Sequence, residues 1–88
     1  MTILPRRVVY VYVLESTRDT DRHYIGLTSD VAARLAAHND GRSPHTAKYR
    51  PWSLLAAVEL ANESAAARFE RYLKSGSGRA FAKRHFAA

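Results

Sequence analysis

Residues 8–14 (VVYVYVL) are apolar or aromatic at every position, so neither alternation along the segment offers a wet face. β-Branched and aromatic side chains favour extended backbone, and such a run predicts a strand covered on both sides. Residues 16–22 (STRDTDR) are polar and turn-forming, and a second short strand is predicted over His23–Thr28. The connection suits an antiparallel hairpin with a medium loop. Thr28, Ser29 and Asp30 can cap a helix; the alanine-rich stretch Val31–Asn39, closed by Asp40 and Gly41, is the predicted helix. Residues 43–51 lack periodicity, lie between Pro44 and Pro51 and read as a loop. Trp52, Leu54, Ala56, Val58 and Leu60 then alternate with Ser53, Leu55, Ala57 and Glu59, the period of a third strand. Asn62 can cap a helix over Glu63–Lys74 whose Ala66, Phe69 and Leu73 share one face. Ser75, Gly76, Ser77 and Gly78 break it, and residues 79–86 form a short final helix. The order β-β-α-β-α-α predicts an α+β fold: a three-stranded, mostly antiparallel sheet flanked by helices. No repeat or low-complexity segment interrupts it.

With 88 residues, the chain is expected to form one domain over residues 1–88, with its core at about residues 8–86. It has no cysteine, which leaves no disulfide framework and no thiolate metal site. The apolar run at residues 8–14 is too short to span a bilayer and lacks a small-residue cleavage site. A cytoplasmic protein without membrane association is therefore expected. Charge sharpens the picture further. Fourteen Lys and Arg oppose eight Asp and Glu, a formal net charge of +6. Residues 1–41 are balanced at five of each sign, whereas residues 42–88 carry nine basic side chains against three acidic. The excess lies in Arg42, Lys48, Arg50, Arg68, Arg71, Lys74, Arg79, Lys83 and Arg84. Such asymmetry favours a polyanionic partner, because each phosphate neutralised releases condensed counterions. A basic surface kept for solubility is the plainer alternative.

Three sets of residues could carry chemistry. Tyr10, Tyr12 and Tyr24 share even parity; a hairpin register that pairs Tyr12 with Tyr24 would set two phenols side by side. On strand evidence alone, an aromatic pair closing the core is the simpler reading. Arg34 and His38, four apart, fall beside Val31 and Leu35 on the stripe expected to face the core. An arginine there is either a side chain whose head reaches water past the core edge or a guanidinium fork for phosphate. Glu70 stands among Arg68, Arg71 and Lys74, where a surface ion pair and a ligand for Mg²⁺ are both open. His23, His38, His45 and His85 lack ligand-like spacing. The chain has neither a Gly-rich phosphate loop nor a Ser/His/Asp arrangement.

The order of these signals says more than any of them singly. Tyr10-Val11-Tyr12, then Tyr24-Ile25-Gly26, then Arg34 and His38, then Glu70 within Arg68-Phe69-Glu70-Arg71 resembles the GIY-YIG nuclease superfamily. The likeness is greatest to its small stand-alone, single-domain branch. It covers residues 8–86 and is strongest over residues 24–28 (YIGLT) and 34–39 (RLAAHN). It departs from the family pattern in two places. Tyr10 and Val11 stand where the first motif has glycine and isoleucine, and no asparagine follows Glu70. The resemblance implies endonucleolytic cleavage of DNA phosphodiester bonds, with Mg²⁺ or Mn²⁺ as one divalent cation. It also implies that Tyr12 and Tyr24, with His38, position or deprotonate the attacking water. Arg34 would steady the scissile phosphate and Glu70 would ligate the metal. Arg42, Lys48, Arg50, Lys74 and Arg79 are the expected nucleic-acid contacts. Branched, damaged or single-stranded DNA, as in repair or recombination, is the expected substrate class. Two other readings stay open: a non-catalytic nucleic-acid-binding module, and a subunit whose specificity comes from a protein partner.

Overall fold

The computed structural model describes residues 8–87. Its centre is a three-stranded antiparallel sheet in the order β2-β1-β3, with β1 at Val9–Ser16, β2 at His23–Thr28 and β3 at Trp52–Leu60. The fully apolar strand occupies the middle, the only position in such a sheet where both faces are covered along its length. Helices α1 (Val31–Asn39) and α2 (Pro44–Ala47) cover one face, and α3 (Glu63–Lys74) and α4 (Gly76–His85) cover the other. The α+β fold expected from the sequence is therefore present, with one added turn of helix, α2, inside the stretch read as a loop. Pro44 begins that turn, where a missing N–H costs nothing.

Local chemistry fixes most boundaries. Asp30 accepts from the Ala33 N–H at 3.0 Å and Asn62 from the Ala65 N–H at 2.8 Å, which satisfies first-turn donors of α1 and α3. Gly41, at φ +78°, takes the left-handed position after α1. The final helix begins earlier than expected. Ser75 alone separates α3 from α4, and its hydroxyl accepts from the Gly78 N–H at 3.2 Å. Gly78 makes so sharp a junction possible, since a Cβ there would lie 1.7 Å from the Tyr72 carbonyl oxygen.

The third strand also departs from its simple alternation. A bulge sets Val13 opposite Ala56 but Leu14 opposite Leu54, leaving Leu55 as the extra residue. Trp52 and Leu54 thus lie on the Tyr12 face, whereas Ala56, Val58 and Leu60 lie on the Val11 face. Each face has its own core. Val9, Val11 and Val13 pack with Ala66, Leu73 and Ala82 beneath α3 and α4. Tyr12, Leu14 and Trp52 pack with Val31, Leu35 and Tyr49 beneath α1 and α2. No helix among the described residues is long and apolar enough to cross a membrane.

Candidate active site

The tyrosines meet, but not by the register that pairs Tyr12 with Tyr24. Tyr12 stands opposite Gly26, and Tyr24 opposite Leu14. The Tyr12 ring therefore reaches diagonally over Gly26, and the two ring centres come within 6.0 Å. This path is why position 26 carries no side chain. A Cβ there would sit 2.7 Å from the Tyr12 hydroxyl and 2.8 Å from Cζ.

Helix α1 supplies the other half. His38 is fully buried, not merely at the border of the core stripe, and its ring centre lies 4.6 Å from that of Tyr24. Its Nε2 is 2.9 Å from the Tyr12 hydroxyl and its Nδ1 is 2.8 Å from Thr46 Oγ1. The Thr46 hydroxyl also donates to the Ser43 carbonyl at 3.4 Å. A hydroxyl has one proton to give. With that proton directed at Ser43, Thr46 Oγ accepts from His38 Nδ1–H, and His38 Nε2 is left as the acceptor for the Tyr12 O–H. The chain Tyr12–His38–Thr46–Ser43 is thus continuous and mostly buried, and this proton assignment would set His38 Nε2 as its acceptor end toward Tyr12.

Loop geometry holds Thr46 beneath the histidine. Asn39, the last residue of α1, accepts from the Trp52 N–H at 2.6 Å and donates to the Trp52 carbonyl at 3.1 Å. The Trp52 indole N–H donates to the Thr46 carbonyl at 2.9 Å. Side-chain and ring contacts therefore close the segment between α1 and β3 into a fixed loop. Sequence reasoning missed Thr46. No local signal marked it, because its partner His38 is eight residues away and the ties from Asn39 and Trp52 that hold it exist only in the fold.

Arg34 lies one turn before His38, half-buried, and interacts with both phenols. Burial pushes the Tyr12 hydroxyl pKa up, opposed chiefly by the neighbouring Arg34 guanidinium. The guanidinium is held more firmly charged, first by that same contact with Tyr12. Burial lowers the His38 pKa, and the neighbouring Arg34 charge lowers it further. At neutral pH the cluster therefore combines a neutral imidazole, the protonated Tyr12 hydroxyl and one permanent cation, with the Tyr24 ring beside them.

The structure thus brings Tyr12, Tyr24, Arg34 and His38 together on the α1 side of the sheet. Glu70 lies on α3, the helix that packs on the opposite face and along edge strand β2, which carries Tyr24. Its carboxylate is mostly covered and is 3.7 Å from the Lys74 ammonium. The family model for the GIY-YIG catalytic domain matches residues 8–84. The chain belongs to this family. A search of curated proteins returned no match.

GIY-YIG nucleases use divalent metal ions, and the donor set of this chain can be weighed against that need. No cluster of three His, Cys, Asp or Glu side chains occurs among the described residues. Glu70 offers one carboxylate whose ion pair is long and easily exchanged. One carboxylate completed by substrate phosphate and water is a usual way to hold Mg²⁺, so the residues fit. The five expected nucleic-acid contacts of this GIY-YIG domain fall in two places. Arg42 is paired with Asp40 at 3.2 Å, Lys48 lies 5.2 Å from the Tyr49 ring centre, and Arg50 folds over Gly41; all three follow α1. Lys74 and Arg79 lie on α3 and α4, beside β2.

Proposed function

We propose that the protein is a metal-dependent endonuclease that cleaves DNA, with Tyr12, Tyr24, Arg34, His38 and Glu70 as its working residues. The observation that carries this reading is the buried relay from the Tyr12 hydroxyl through His38 to Thr46, next to a cation held by both tyrosines. A cross-strand aromatic pair kept only for packing needs no buried imidazole with a fixed tautomer.

The chemistry follows from proton positions. Arg34 presents its fork of donors to the scissile phosphate. As the oxygen of a water held between the phenols attacks phosphorus, it gives its proton to the Tyr12 oxygen while Tyr12 passes its own to His38 Nε2. The bond from phosphorus to the leaving oxygen breaks, and that oxygen takes a proton from solvent. No free phenolate has to form, which matters because burial makes that ion costly. The arriving phosphate offsets the Arg34 charge and so restores basicity to His38, which Arg34 otherwise depresses. Thr46 holds the imidazole in the tautomer that leaves Nε2 open. Glu70 would hold one Mg²⁺ or Mn²⁺, whose chemistry is to polarise a phosphoryl oxygen and stabilise the leaving oxygen. DNA rather than RNA, a repair or recombination role, a partner that lends specificity, a cytoplasmic location and a single-domain organisation belong to the same proposal. The family membership and the basic charge support the nucleic-acid substrate.

The test is incubation with labelled linear, nicked, flapped and branched DNA in Mg²⁺ or Mn²⁺. Metal-dependent products are expected from the parent protein, with Tyr12→Phe slowed by about 10²–10⁴-fold and no product from Glu70→Ala. Equal cleavage by either variant would remove that residue from the mechanism, and binding without any product would leave a nucleic-acid-binding module.

A further inference from the structure

The relay side of the sheet contains a closed circuit of contacts around His38. Asn39 follows His38 in the chain, and its amide takes both backbone groups of Trp52, the N–H at 2.6 Å and the carbonyl at 3.1 Å. The Trp52 indole N–H donates to the Thr46 carbonyl at 2.9 Å, and Thr46 Oγ1 returns to His38 Nδ1 at 2.8 Å. Trp52 is also the first residue of β3 and pairs with Ser16 on β1, the strand that carries Tyr12. Both ends of the relay are therefore referred to the same two strands. The Tyr49 N–H donates to the Thr46 carbonyl as well, at 3.1 Å, from within the same loop. Tyr49 in turn accepts from Ser16 Oγ at 2.5 Å. Ring and backbone donors thus converge on one carbonyl, that of Thr46.

We propose that Trp52 is a positioning residue for the reaction: its indole N–H orients Thr46 so that His38 turns a bare Nε2 toward Tyr12, with Asn39 as the anchor. The proposal deepens the nuclease reading and rests on it for the reaction that the imidazole serves. The partner of one ring nitrogen decides which tautomer a histidine adopts, so the direction of Thr46 Oγ1 matters as much as its presence. Backbone donors from the loop move with Thr46, whereas the indole reaches it from the sheet. Without the indole, the Thr46 peptide can turn about its loop contacts and carry the hydroxyl out of line with Nδ1. A buried tryptophan kept only for packing needs some acceptor for its N–H, and any carbonyl would serve. Here the acceptor belongs to the residue whose side chain meets His38 Nδ1, and the Trp52 backbone is held at both of its polar groups. The fit has to be close, since a displacement of about 1 Å can cost on the order of 10²-fold in rate.

Trp52 is the single tryptophan of the chain, so it can be replaced throughout by benzothienylalanine, in which sulfur stands for the indole N–H. That change removes one donor and keeps the shape of the ring. The His38 tautomer is read from imidazole nitrogen chemical shifts at about pH 8, where an ordinary histidine is neutral, without DNA or metal. His38→Gln identifies its signals among the four histidines. The parent is expected to show Nδ1 protonated and Nε2 bare, and the substituted protein to show averaged shifts from both tautomers. Cleavage should slow by about tenfold with KM near parental. In Thr46→Val the same replacement should cost nothing further, because Trp52 acts through Thr46. A parental tautomer in the substituted protein overturns the proposal, as does a loss that adds in full to that of Thr46→Val. The tautomer judges this proposal even in a protein that cuts nothing. Absence of metal-dependent cleavage by the parent sinks only the nuclease reading.

Discussion

The two faces of the sheet share the same three strands but are built on different principles. Beneath α3 and α4 the contacts are aliphatic and aromatic: Val11 and Leu73 are fully buried, and Phe69, Phe81 and Phe86 meet edge to face. Beneath α1 and α2 the buried set includes a phenol, an imidazole and two hydroxyls, those of Tyr12, His38, Ser16 and Thr46. Apolar packing is non-directional and tolerates swaps that conserve volume. Buried polar groups tolerate far less, because each must find a partner at a fixed angle. Every buried side-chain nitrogen and oxygen among the described residues has one. The first face thus contributes mainly stability, with Glu70 of α3 as its proposed working residue, while the second holds reactive groups in a single geometry.

The sharpest way to break this contrast is one substitution on each face. Tyr12→Phe should lower the cleavage rate by about 10²–10⁴-fold, the usual worth of a positioned proton-transfer group, with parental circular dichroism. Leu73→Ala should do the opposite. It should cost about 2–5 kcal/mol in urea denaturation while the rate per folded molecule at low temperature stays near parental. If Leu73→Ala abolishes turnover in molecules that remain folded, the faces are not separable. Next in size is Gly26→Ala, which forces a methyl against the Tyr12 ring. A loss of about 1–3 kcal/mol is expected, along with most of the cleavage activity, since the ring cannot move and keep its bond to His38. Thr46→Val should be milder. It leaves His38 Nδ1–H unpartnered, costs about 1–3 kcal/mol and frees the tautomer; Thr46→Ser should restore both the rate and the pH profile.

The smallest expected effect is on pH dependence. The His38 pKa is depressed in the folded state, so near pH 6 the unfolded chain binds more protons than the folded one. Stability should be full above about pH 6.5, the unfolded histidine value, and fall as the pH drops toward the folded value. His38→Gln should flatten that slope in denaturation midpoints measured from pH 7 to pH 5. An unchanged slope would mean that other groups carry it.

Much of this organisation was legible along the chain. The second and third strands and the helices α1 and α3 occupy the residues that alternation, periodicity and capping assign to them. Those signals are local: Asp30 and Asn62 cap the same short segments whose apolar spacing they precede. Sequence also determined that the central strand must be covered twice, since residues 8–14 have no polar face, and that a polyanion suits the basic second half. Arg34 and His38 on one side of α1 followed from helical geometry alone.

What remained was decided in three dimensions. Alternation cannot reveal a bulge, because an extra residue such as Leu55 changes which face follows without changing which residues are apolar. Hairpin register follows from the loop and from what each side chain meets, so only the fold could set Tyr12 over Gly26 rather than beside Tyr24. Thr46 beneath His38, and Arg22 over the Tyr49 ring, join residues far apart in the chain. Local propensity carries no information about such pairs. The residue types were therefore written in the sequence, whereas their direction toward one another depended on tertiary packing, because hydrogen bonds and ring contacts are properties of position.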